Sequence, residues 1–91
     1  MYFVYMIRND SGKLYVGITK NPNIRTKDHN ADRGAQFTKG KAKFTIVFLE
    51  EYMTLLETRR REIQIKKWRR EKKEMLIERY RKGLPTNLLG I

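Results

Sequence analysis

Three short apolar runs, followed by two stretches of helical periodicity, organise this chain. Tyr2 to Arg8 is dense in aromatic and β-branched residues, which predicts a strand. Asn9-Asp10-Ser11-Gly12 carries turn chemistry: Asx side chains that bond the backbone, and a glycine able to take positive φ. Lys13 to Thr19 predicts a second strand, so residues 2–19 read as a β-hairpin. Asn21 is a good helix cap and Pro22 suits the first helical position, so a helix from Pro22 to about Asp32 is expected. Arg33 to Lys43 holds two glycines and little periodicity, and predicts a basic loop. Phe44 to Glu50 is almost continuously apolar and predicts a third strand, central in the sheet.

Thr54-Leu55-Leu56-Glu57 has the capping-box spacing, with Thr54 as N-cap and Glu57 reaching back. A helix from there to about Trp68 follows, with Ile63 expected to face inward. A second one, from about Arg70 to Lys82, ends where Gly83 and Pro85 stop it. Leu76, Ile77, Tyr80 and Leu84 give it an apolar stripe for packing on the sheet. Leu88, Leu89 and Ile91 suggest that the tail docks. The order β-β-α-β-α-α predicts one small α+β domain over residues 1–91, a three-stranded antiparallel sheet flanked by helices.

Charge changes the picture. Lys and Arg number 21 against 10 acids, a net charge of +11. Self-repulsion of this size disfavours a compact state, so a polyanionic partner is expected, and nucleic acid (DNA or RNA) is the first choice. An acidic membrane fits less well, because the basic segments lack a broad apolar face rich in Trp and Phe. The absence of cysteine excludes disulfides, a thiol nucleophile and thiolate-bound zinc. The start Met-Tyr-Phe-Val-Tyr-Met-Ile lacks the basic region of a signal peptide and is too short to span a bilayer, so a cytoplasmic location is the expectation. The sequence does not decide monomer against dimer, and a monomer is the favoured state.

Candidate chemistry comes from spacing. A three-residue loop at Asp10 to Gly12 would project residues 5, 7, 15 and 17 from one sheet face; a two-residue loop would separate Tyr5 from Tyr15. In the first register two phenols share a face, and Gly17 leaves room for a bulky ligand beside the backbone. Arg25 and His29, spaced i, i+4, share a helix face. Glu62 lies within two helical turns of Arg59 and Lys66. A carboxylate can hold a hard cation, an arginine fork can grip non-bridging phosphate oxygens, and a phenol or imidazole can position and deprotonate water. Together these are the parts needed to hydrolyse a phosphodiester.

Phe3-Val4-Tyr5 and Tyr15-Val16-Gly17 resemble the two short motifs that name the GIY-YIG nucleases. Arg25 and His29 match that family's R-x-x-x-H element, and Arg61 to Trp68 resembles the helix that bears its metal-binding glutamate. In length the chain is similar to the small UPF0213 or YhbQ-like group. Phe3 departs from the motif, which has glycine there. The resemblance implies Tyr5 and Tyr15 as paired active-site tyrosines, Arg25 on the phosphate and Glu62 as ligand to one Mg²⁺ or Mn²⁺. His29 would accept a proton or orient water, with no covalent enzyme intermediate. The expected activity is metal-dependent cleavage of DNA or RNA, with Lys39, Lys41, Lys43, Arg59 and Lys66 binding the strand.

Each residue also has an ordinary structural reading. Tyrosines on strands are commonly half-buried, Arg59-Arg60-Arg61 is commonly a wet face, Glu62 pairs with Lys66 by default, and Trp68 suits packing at the helix junction. A chain with the same fold and charge could also bind nucleic acid without cutting it, as a free module or as an accessory of the ribosome or a repair complex.

Overall fold

In the computed structural model, which describes residues 1–22 and 44–87, the chain forms β1 (Tyr2–Asn9), β2 (Leu14–Thr19), β3 (Phe44–Tyr52), α1 (Leu55–Lys66) and α2 (Arg70–Arg81). The strands make one antiparallel sheet in the order β2-β1-β3. The α+β class expected from the pattern is therefore present. Of the helix expected from Pro22 to about Asp32 only Pro22 is described; residues 23–43, with the basic loop, and 88–91 lie outside the described residues.

Local chemistry sets the hairpin. Asn9 Oδ1 accepts from the backbone N–H groups of Ser11 (3.0 Å) and Lys13 (2.9 Å). Gly12 donates to the Asn9 carbonyl at 2.9 Å and takes φ +87°, a left-handed value that a side chain would resist. Asn9 N donates to the Lys13 carbonyl at 3.0 Å and closes a three-residue loop, so Tyr5 lies opposite Gly17 and Ile7 opposite Tyr15.

β1, not β3, is the central strand. Val4 to Ile7 are all buried: β1 has a neighbouring strand on each side, and its side chains join a buried cluster on each face. The continuous apolar run of β3 has a different cause. A bulge opposite Met6/Ile7 shifts the alternation, so Phe44, Ile46 and Leu49 join Tyr5, Ile7 and Tyr15, whereas Phe48 joins Val4 and Met6. An edge strand buried on two faces reads like a central one.

The N-cap forms as expected, with Thr54 Oγ1 accepting from Glu57 N at 3.2 Å, whereas Glu57 reaches back to the Thr54 hydroxyl, which donates to Oε1 at 2.9 Å. α1 presents Thr58, Arg61, Glu62 and Ile65 inward. Ile65 joins the core with Val4, Met6, Phe48, Leu76 and Ile77, and Trp68 packs at its margin. Ile63 is exposed, contrary to expectation, because that stripe turns its side chain outward. α2 closes with Gly83 N to Tyr80 O and Leu84 N to Arg79 O, a Schellman cap that uses Gly83 at φ +74°. Leu76 and Ile77 are buried and Tyr80 meets Phe48 edge-on at 5.7 Å, but Leu84, expected on the same stripe, is exposed.

α2 is tied to the hairpin by charge. Arg8 grips Glu74 with two bonds of 2.7 and 2.8 Å, and Arg70 reaches both Glu74 (2.8 Å) and the Gly12 carbonyl (2.6 Å). The hydrogen bond from Arg8 is the main cause that lowers the Glu74 carboxyl to about 2. A carboxyl lowered on folding stabilises above its ordinary pKa and loses that contribution as pH falls through the folded value. Melting temperature should therefore drop between about pH 5 and 2, and Glu74→Gln should flatten part of that slope. Identical slopes for both proteins would remove Glu74 from the acid response.

Candidate functional site

The observed register puts Tyr5, Ile7, Tyr15 and Gly17 on one face of the sheet. Tyr15 rests edge-on against Phe44, with ring centroids 5.3 Å apart. The space at Gly17 is not left for a ligand, as spacing alone suggested. The Tyr5 ring fills it: a Cβ at Gly17 would lie 2.5 Å from the Tyr5 hydroxyl and 2.7 Å from Cζ. The glycine of the second motif thus lets the tyrosine of the first lie across the strand. Gly17→Ala should displace that ring and destabilise by about 1–3 kcal/mol. In a Tyr5→Ala background the same substitution should cost much less, and equal costs in both backgrounds would refute the contact.

Glu62 belongs to the other layer. Ile65, one turn along α1, packs with Val4 and Met6, whose side chains leave β1 on the face opposite Tyr5. Glu62 is 6% exposed, with Lys66 Nζ 3.1 Å from Oε2 and Arg59 Nη1 3.8 Å from Oε1. Both partners are half exposed, so cationic groups reach this carboxylate from the solvent side. Among the described residues no three His, Cys, Asp or Glu side chains cluster as a metal cage. A single carboxylate is nonetheless a donor set that suits Mg²⁺, which keeps waters and takes substrate phosphate oxygens. Arg25, His29, Lys39, Lys41 and Lys43 lie outside the described residues.

A second buried acid was missed by the sequence reading, together with its partner. Arg61, expected on a wet basic face, is 5% exposed. Its Nε and Nη2 donate to Glu50 at 2.8 and 3.1 Å, Nη1 to Gln64 Oε1 at 2.7 Å, and Nη2 to the Thr86 carbonyl at 2.8 Å. Tyr52 donates to Glu50 at 2.7 Å and accepts from Asn87 at 2.6 Å, so the start of the tail does dock. Burial, then the Glu50 carboxylate, pushes the Tyr52 hydroxyl pKa up, which keeps it a donor. One signal was available: Thr58, Arg61 or Glu62, and Ile65 share one helix face, so a charge there must find a partner.

Fold and motif placement define a small α+β domain built on the Tyr5–Tyr15 hairpin. The model of the GIY-YIG catalytic domain matches residues 1–75, and the chain belongs to that family. It is similar to UPF0213 proteins of Staphylococcus aureus strains Mu3 and N315, each 39% identical over 77 residues, 85% of this chain and 94% of theirs. A UPF0213 protein of Bacillus halodurans, solved by solution NMR, superposes with a TM-score of 0.56 at 32% identity, covering 86% of this chain and 84% of that one. Among the described residues, no helix is long and apolar enough to cross a membrane.

Proposed function

We propose that the protein is a divalent-metal-dependent nuclease that hydrolyses phosphodiester bonds of DNA or RNA. The observation that carries this reading is the hairpin register: the two motif tyrosines share one sheet face, with Tyr5 lying over Gly17. Membership of a nuclease family adds to it, as does the net charge of +11. Glu62 would hold one Mg²⁺ or Mn²⁺, which polarises the phosphate and neutralises developing charge. Arg25 would grip the non-bridging oxygens, and His29 or a tyrosine would orient and deprotonate water. Lys39, Lys41, Lys43, Arg59 and Lys66 would hold the strand. Because α1 packs on the face opposite the tyrosines, a phosphate served by both sits at the margin of the sheet. β2 is an edge strand and carries Tyr15.

The test is cleavage of labelled DNA and RNA with Mg²⁺ or Mn²⁺, wild type beside Glu62→Gln. Cleavage that survives the substitution or a chelator would sink the assignment. A rival reading has one observation behind it: Lys66 and Arg59 already neutralise Glu62, as in an ordinary helix-surface pair. It makes the protein a binding module, with affinity falling steeply in salt and no turnover in either metal.

A further inference from the structure

Between α1 and α2 the chain reads Lys66-Lys67-Trp68-Arg69-Arg70-Glu71-Lys72-Lys73, six basic residues and one acid. Two of the six are engaged, Lys66 by Glu62 and Arg70 by Glu74 and the Gly12 carbonyl. Among the described residues, no acid pairs with Lys67, Arg69 or Lys72, and all three are exposed. They line one open depression with Trp68, Glu71 and Met75. Trp68 is anchored against the core and holds the Lys72 ammonium 4.3 Å from its ring centroid. Lys67, at the C-cap of α1, suits that helix's dipole, but Lys72 in the first turn of α2 opposes the dipole there, and Arg69 stands at the N-cap of α2 without a side-chain cap bond. Exposed cations without acidic partners, gathered on an aromatic support, fit a polyanion.

We propose that this junction is a second nucleic-acid contact, in which Lys67, Arg69 and Lys72 hold the phosphodiester backbone from the layer opposite the tyrosines. The proposal rests on the reading that nucleic acid is the partner, but not on cleavage. Trp68 has Lys72 near its ring and the Arg61 guanidinium 5.2 Å from its centroid, so it serves as a support and not as a base-stacking platform. Phosphate contacts carry no base information, so this surface binds without sequence preference.

Anisotropy of a labelled DNA duplex, titrated in EDTA over a series of salt concentrations, tests it. The triple variant Lys67→Gln, Arg69→Gln, Lys72→Gln should lower the slope of log K against log salt by about 2–3 units, at roughly 0.9 per contact. A control triple, Lys13→Gln, Lys20→Gln, Lys82→Gln, removes the same charge elsewhere and should lower the slope less than half as much. Equal drops in both triples, or wild-type binding in the first, would overturn the proposal. So would loss of binding to phosphatidylserine vesicles with duplex binding unchanged. If the triple melts early, the single variants Lys67→Gln and Arg69→Gln replace it, each expected to lower the slope by about 0.9. Binding as expected without cleavage would overturn the nuclease reading alone. Normal cleavage with an unchanged slope would overturn the junction surface alone.

Discussion

Arg61→Ala should destabilise the fold by about 3–5 kcal/mol, because it leaves the Glu50 carboxylate buried without its cation. In a domain of this size that lowers the melting temperature by roughly 4–8 °C per kcal/mol. The loss is larger than for a surface pair, where water replaces the missing partner. Gln64 and the Thr86 carbonyl lose a donor as well. Removing both charges should behave differently. Arg61→Met with Glu50→Leu replaces a desolvated ion pair with apolar volume, and should recover most of the loss. Denaturant unfolding of the single and double variants checks this. A single variant within about 1 kcal/mol of wild type would mean that water reaches Glu50 freely.

Glu62→Gln should do the opposite: little change in stability and a large change in rate. Its partners Lys66 and Arg59 remain half exposed, and pairs of this kind contribute only about 0.3–0.5 kcal/mol. If the carboxylate holds the cation, its loss removes several kcal/mol of transition-state stabilisation, which corresponds to roughly 10³-fold in rate. Single-turnover cleavage and a thermal melt on the same preparation separate the two effects. A variant that melts and cuts like wild type would remove Glu62 from the site. The two buried acids, Glu50 and Glu62, thus differ in their partners: one faces an enclosed arginine, the other two ammonium and guanidinium groups at the surface.

What was legible in the sequence was mostly local. Asn9 and Gly12 announced a tight turn but left its length open between two and three residues, and that length decides whether Tyr5 and Tyr15 share a face. Thr54 with Glu57 marked the start of α1, and Gly83 the end of α2. Longer-range facts were hidden. The apolar run of Phe44 to Glu50 comes from the bulge opposite Met6/Ile7, which no pattern in that run betrays, and so an edge strand read as a central one. Arg61 looked like one more exposed charge among three arginines, because the acid that buries it lies on another element. The layer that holds Glu62 likewise follows from where Ile65 packs, whereas Ile63 was the apolar neighbour that invited attention.

The strand order also bears on how the chain comes together. β1 and β2 close across residues 10–12, whereas β1 and β3 close across residues 10–43. The longer closure costs about 2 kcal/mol more in chain entropy, since that cost grows only with the logarithm of loop length. On the far side of the gap, Glu50 meets Arg61, a contact again near in sequence. The described residues thus form two halves, a hairpin and a strand–helix–helix unit, which meet along the β1–β3 seam and through the packing and ion pairs of α1 and α2 on the hairpin. Nucleation within either half is cheap; the search for that seam is the slow, non-local event of folding.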